Sequence, residues 1–309
     1  MKKLIFILVL LLSGCSNPKP VTLDYPSKPQ NLKKHVEALV HDDEFRNFQN
    51  LNELNRVAGY IKSEIEKNGF NCYYQKYIVN NREYKNVVCS MGEKREKQIV
   101  TGAHYDVCGD QEGADDNASG VAGLIELSRV LNENRKSLKI GVELVAYTLE
   151  EPPFFRTSNM GSYIHAKSLA DKKKDIEGMI ALEMIGYFSN EEIQRYPTGL
   201  SLFYPDEADF IASVGNLGSR WLCILYEDAM ENNTDLEVEK LIAPGFMPGV
   251  DFSDHLNYWK FGYDAMMITD TAFFRNSNYH KPTDSIDTLN FDNMAKVVDG
   301  LAIMLLNID

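Results

Sequence analysis

Residues 98–103, 139–148 and 176–184 are three apolar runs, and each delivers the chain to an acid or a histidine before a helical pattern begins. Runs of this length with little alternation read as strands covered on both faces, the signature of the middle of a parallel sheet. His104 follows the first run, Glu150-Glu151 the second, and Glu183 sits at the end of the third. Residues 118–131, with Val121, Leu124, Ile125 and Leu127 on one face, predict a helix after the first strand, and residues 158–170 predict another after the second. Strand, polar strand end and helix in repetition leave little choice of architecture. They predict one α/β domain of three layers, α/β/α, around a central mixed, mostly parallel sheet, with any ligand bound at the carboxyl ends of the strands.

The remaining segments extend this frame. Between residues 31 and 70, Leu32, Val36, Leu39 and Val40, then Val57, Ile61 and Ile65, recur at helical spacing, and Gly69 is placed to end the second helix. Residues 72–79 and 84–90 read as two strands joined by a turn at Asn80-Asn81-Arg82. A short helix over 254–260, a strand over 263–269 and a closing helix over 292–306 follow; residues 186–250 show only a helix within 208–225 and a loop at Asn232-Asn233. The composition, 44% apolar and 25% charged over 309 residues, suits a single large domain from 31 to 309. The net charge of −13 and the absence of a basic run exclude a nucleic-acid stripe.

The amino terminus has its own logic. Lys2-Lys3 precedes an apolar run over residues 4–12 that is too short to span a membrane permanently. The sequence Leu12-Ser13-Gly14-Cys15 that follows resembles the bacterial lipoprotein signal. That resemblance implies that residues 1–14 are removed, that Cys15 is lipidated, and that the protein is exported and membrane-anchored on the cell-envelope or periplasmic side. Residues 15–30 carry four prolines and read as a tether. Export permits disulfides, and the spacing of Cys72, Cys89, Cys108 and Cys223 leaves their pairing open. Cys108 falls within the stretch next to His104 and reads as a small buried thiol.

His104, Asp116, Glu151, Glu183 and His280 form a donor set of imidazoles and carboxylates, which zinc accepts and which magnesium or calcium rarely take. Five donors exceed the need of one tetrahedral ion that keeps a water, and they suit two ions if one carboxylate bridges. Asp116, gripped between Asp115 and the turn over residues 117–120, is the natural bridge. Asp106, two residues beyond His104, is expected to accept a hydrogen bond from the ring nitrogen that faces away from the metal. Of Glu150 and Glu151, one can bind metal while the other serves as general base, and Pro152-Pro153 prevents the strand from continuing past them. Tyr279 and His255 are candidate neighbours of the site; Asp115 has no role at this level.

Together, His104-Tyr-Asp106, Gly113-Ala-Asp-Asp-Asn-Ala-Ser-Gly120, Glu150-Glu151, Asn159-Met-Gly-Ser162, Leu182-Glu-Met-Ile-Gly186, Ser253-Asp-His255 and Tyr279-His280 with Asp284 and Asp287 resemble the M28 family of zinc aminopeptidases. The resemblance implies two zinc ions, one held by His104, Asp116 and Glu183 and the other by Asp116, Glu151 and His280. It further implies Glu150 as general base and proton shuttle, Asp106 as the residue orienting His104, and a cis peptide at Asp116–Asn117. The activity implied is removal of N-terminal residues from peptides or aminoacyl amides by a hydroxide shared between the metals. Two departures stand out: Glu183 where many relatives carry aspartate, and Pro152-Pro-Phe-Phe155 where better-known members have tryptophan and glycine, so specificity is not borrowed from them. Two rivals remain. A glutaminyl cyclase-like acyltransferase would use a single zinc on Asp116, Glu151 and His280, without His104. A non-catalytic lipoprotein binding module would lack a ligand or the base, and none is missing here.

Overall fold

The structure, a computed structural model, describes residues 22–40, 43–197 and 199–308. The expected signal segment and Cys15 lie outside the described residues. Within them the strands are β1 (Asn71–Val79), β2 (Arg82–Met91), β3 (Gln98–His104), β4 (Gly141–Tyr147), β5 (Gly178–Glu183), β6 (Ile211–Gly215), β7 (Val238–Ile242) and β8 (Ala265–Thr269). They form one sheet in the order β1-β2-β4-β3-β5-β8-β6-β7. The central β4, β3, β5 and β8 run parallel, whereas β1–β2, β2–β4 and β6–β8 pair antiparallel. The sheet is thus mixed and mostly parallel at its centre, as the buried runs predict.

Helices α1 (Pro29–Leu39), α2 (Leu51–Lys67), α3 (Gly120–Glu133), α5 (Arg220–Asn233) and α7 (Phe291–Asn307) close one face through a large apolar core. Helices α4 (Gly161–Asp171) and α6 (His255–Trp259) pack in a second core on the other face. Every residue of β3, β4 and β5 is buried, which is why their sequences show no alternation. The crossover from β3 through α3 leads to β4 on one side of β3, and the crossover from β4 through α4 leads to β5 on the other. The two helices therefore leave by opposite faces and open a crevice at the carboxyl end of β3, the position at which α/β sheets bind ligands.

One reading of the sequence changes and another is extended. The segment expected to act as a tether is docked on the domain from Asp24: the backbone N–H groups of Asp24, Ser27 and Lys28 donate to Asn134, Asp299 and Glu126. Its last proline, Pro29, begins α1 instead of extending a spacer, since a proline at the first helical position costs no hydrogen bond. And the stretch expected to include a helix, 208–225, does so from Arg220, where α5 begins, and carries β6 before it.

At the other edge, Asn80 and Asn81 take φ of 50° and 61°, the two left-handed residues of a tight hairpin turn between β1 and β2. Cys72 and Cys89 face each other directly in that ladder and are disulfide-bonded, while Cys108 and Cys223 are free. A bridge spanning 17 residues restricts the unfolded chain. Replacing both cysteines with alanine is expected to lower stability by ~3 kcal/mol in a denaturant titration.

Candidate metal centre

The site is built from a turn that the chain can make in only one way. At Gly113 the backbone has φ of 58°, and a Cβ there would lie 2.2 Å from the carbonyl oxygen of Asp116. The guanidinium of Arg46, fully buried, donates to the carbonyls of Glu112 and Gly113 and fixes the entry to the turn. Burial lowers the Arg46 pKa to about 10, with Asp284, Asp116, Asp106 and Glu151 opposing the shift. Across the turn, the carboxylate of Asp284 accepts the N–H of Asp115 at 2.9 Å and that of Asp116 at 3.0 Å. The Asp116–Asn117 peptide is cis, as the resemblance implies. The side chain of Asn117 then spans to β5, donating to the Leu182 carbonyl and accepting from the N–H groups of Met184 and Gly120.

This scaffold brings together all five donors inferred from the sequence. The two oxygens of Asp116 address different imidazoles: Oδ1 lies 3.3 Å from His104 Nε2, and Oδ2 lies 3.1 Å from His280 Nε2. Glu183, from the end of β5, stands 3.4 Å from His104 Nε2, and Glu151 stands 3.1 Å from His280 Nε2. Ligands at zinc bond lengths in a tetrahedron lie about 3.3 Å apart, and these imidazole–carboxylate contacts fall near that value. The extra methylene of Glu183 is accommodated, since Ser253 Oγ donates to its Oε2 at 2.7 Å and holds it turned toward His104. Nε2 of His280 and Oε1 of Glu151 are buried atoms that no well-oriented hydrogen bond reaches, and a cation between them would satisfy both.

The electrostatics point the same way. Burial resists protonation of His104, but Glu183, Glu150, Asp106 and Asp116 crowd it and raise its pKa well above the usual imidazole range. Burial likewise works against the charged form of His280, and Asp116 and Glu151 raise it to about 10. Burial pushes Asp116 up, yet the two imidazoles outweigh it and hold the carboxyl low. Glu150 is raised well above the carboxylate range, first by burial and then by Glu183, Glu151 and Asp254, with His104 opposing. Burial and Asp116 bring Glu151 up to about 8. Asp254, buried beside them, reaches about 7 through burial. Carboxylates outnumber their positive partners, and divalent cations fit the imbalance.

Asp106 meets His104 through both its backbone and its side chain. His104 Nδ1 lies 3.2 Å from the backbone carbonyl of Asp106 and 3.7 Å from its carboxylate. The carboxylate also accepts the N–H of Glu150 and of Glu151, each at 3.2 Å. Asp115, without a role from sequence, anchors the floor: it accepts from the Gly186 N–H and from Asn276, and it meets Asp270. Burial and the Asp270 charge raise Asp115 well above its usual range, and burial brings Asp270 to about 6. Asp270 follows β8 as His104 closes β3, and that strand-end pattern is the signal that could have found it. Arg46 offered only the oddity of a charge between two phenylalanines. His255 is structural, with Nε2 donating to the Val250 carbonyl, whereas Tyr279 stacks on His280 with ring centroids 3.8 Å apart. Cys108 is half-buried and presents its thiol beside Glu151 and His280.

The site is thus a pair of histidine–carboxylate clusters at the switch point of an α/β/α sheet, and the comparisons with known proteins give the family. The model of peptidase family M28 matches residues 86–304, and the chain belongs to that family. It is 43% identical to the uncharacterized protein YfbL of Escherichia coli K12 over 99% of both chains. Its fold resembles a leucine aminopeptidase precursor from Bacteroides thetaiotaomicron, with a TM-score of 0.68 and 16% identity over 94% of this chain and all of the other. It resembles a glutaminyl cyclase from the same organism almost equally, with a TM-score of 0.67 and 16% identity over 92% and 99% of the two chains. The family supports a hydrolase, and the fold alone does not separate the two chemistries.

The turn supplies a test of this construction. Gly109 also has positive φ, at 70°, but open space where a Cβ would stand. Gly113→Ala is expected to lower stability by more than ~1 kcal/mol and by more than Gly109→Ala does. Thermal melting of the two variants side by side measures the difference.

Proposed function

We propose that this M28 chain is a di-zinc aminopeptidase that hydrolyses N-terminal residues from peptides or other aminoacyl amides. The observation that carries the reading is the division of Asp116 between two clusters, Oδ1 with His104 and Glu183, Oδ2 with His280 and Glu151. Two zinc ions held there, with Asp116 shared, would supply Lewis-acid polarisation of the scissile carbonyl and a water acidic enough to ionise near neutral pH. Glu150 stands 4.0 Å from His104 Nε2, in neither cluster, and is free to take the proton of the attacking water and return it to the leaving amine. Asp106 holds Glu150 and Glu151 in register through their backbone N–H groups. Tyr279, stacked on His280, keeps that imidazole turned toward Asp116 and Glu151.

The likeness to a glutaminyl cyclase raises a single-zinc acyltransferase as the second reading. That chemistry has no use for the approach of His104 to both Asp116 and Glu183, and this approach favours the peptidase. The test is metal analysis with kinetics on aminoacyl anilides. The zinc-loaded chain is expected to hold two ions and turn over. Glu150→Gln should keep both ions and lose about 10²- to 10⁴-fold in rate, while His280→Ala should lose zinc. One zinc with pyroglutamate formed from an N-terminal glutamine would favour the cyclase, and unchanged turnover in Glu150→Gln would remove the base.

We also propose that the protein is exported and anchored by lipid on Cys15, as the first fifteen residues suggest. The Cys72–Cys89 disulfide suits an oxidising compartment. Among the described residues no helix is long and apolar enough to cross a membrane. Cys15→Ala is expected to move the protein from the membrane to the soluble fraction of cells.

A further inference from the structure

A cavity of about 220 Å³ opens beside the donor clusters and runs away from them along the sheet. Its floor is made by register rows that cross four strands. Glu183 of β5 pairs with Thr269 of β8, Thr269 with Ala212 of β6, and Ala212 with Glu239 of β7. The next row on that face is Met267, Val214 and Leu241. Residues paired across neighbouring strands project on the same face, and these side chains all line the cavity. Three strand spacings, ~14 Å, separate the backbone at Glu183 from that at Glu239. Between the two acids the surface is apolar, walled by Phe252 and Phe274.

Glu239 gives the far end a different chemistry. Among the described lining residues it is the one acid away from the metal donors. Its neighbour Lys240 is engaged by Glu227. Burial first, and then the negative charges of Glu237 and Glu227, raise its carboxyl above the usual range. Tyr196 and Tyr204 stack beside it, with centroids 5.8 Å apart, and both phenols feel its charge. Arg195 also lines the cavity but is exposed to solvent, where its charge is screened.

From this arrangement we infer that the cavity selects substrates whose N-terminal residue carries a long side chain ending in a cation, lysine or arginine, with Glu239 as counter-charge and the tyrosine pair against the stem. The inference rests on the aminopeptidase reading above. Apolar walls take the methylene stem of such a side chain, and an acid in a partly dry pocket takes the charged head. Tyrosine faces add cation–π attraction. A neutral side chain of the same length fills the same space but leaves Glu239 without a partner, so the missing charge, not the shape, discriminates.

The full-length zinc-loaded chain is assayed on lysyl, norleucyl, arginyl and citrullyl anilides, pairs that differ in charge and little in size. The lysyl-to-norleucyl and arginyl-to-citrullyl ratios of kcat/KM are expected to exceed about tenfold. Glu239→Gln should bring both ratios toward one. Because each ratio is taken within one preparation, partial loss of folded enzyme cancels. Ratios near one in the unaltered chain, or ratios that survive Glu239→Gln, would overturn the assignment. If none of the anilides is hydrolysed, the aminopeptidase reading fails by itself. Calorimetry with lysine amide against norleucine amide then reads the pocket alone: a preference for lysine amide abolished by Glu239→Gln supports the cation site, and equal binding overturns it.

Discussion

The centre depends on a carboxylate that does not face the donor clusters. Asp284 binds the backbone N–H groups of Asp115 and Asp116, and by doing so it sets the direction of the Asp116 carboxylate between two imidazoles. Everything that must converge on Asp116 comes from elsewhere: His104 from β3, Glu151 from the end of β4, Glu183 from β5 and His280 from the loop beyond β8. Their convergence concentrates buried negative charge, which is tolerable only while positive charge balances it. Asp116, Glu150 and Glu151 are placed through their backbone N–H groups and Glu183 through Ser253, so the acids are held close together.

The Asp106 carboxylate joins two parts of this system. His104 precedes it by two residues, and its oxygens grip the N–H groups of Glu150 and Glu151. A displacement of the end of β3 is thereby transmitted to the proposed base and to one donor of the other cluster at once. The precision of the site rests on a strand-to-strand tie at the place where the two parallel strands end, with the sheet as its rigid backing.

Much of this was legible in the sequence because strongly buried parallel strands announce themselves by unbroken apolar runs, and β3, β4 and β5 do so. His104, Glu151 and Glu183 were legible because each sits where such a run stops, whereas Asp116 and His280 lie in the turn and the loop beyond and were legible through the motifs around them. β6 and β7 were not, for a physical reason. Ile211–Gly215 is five residues long, and Val238–Ile242 mixes charges with aliphatic residues, as a half-covered edge strand does. Neither supplies enough period to separate strand from helix. The roles of Arg46, Asp115 and the Asp106 carboxylate depend on partners 67, 71 and 44 residues away in the chain, distances over which local pattern carries no information.

The sheet also divides labour across its width. The donors and the base belong to β3, β4, β5 and the loop after β8, in the rigid parallel centre, while the distant half of the cavity is floored by β6 and the edge strand β7. Changes on β7 reach the cavity without passing through any residue that fixes Asp116. The cavity's far half can therefore change its shape and charge through one margin of the sheet while the contacts that place Asp116 stay as they are.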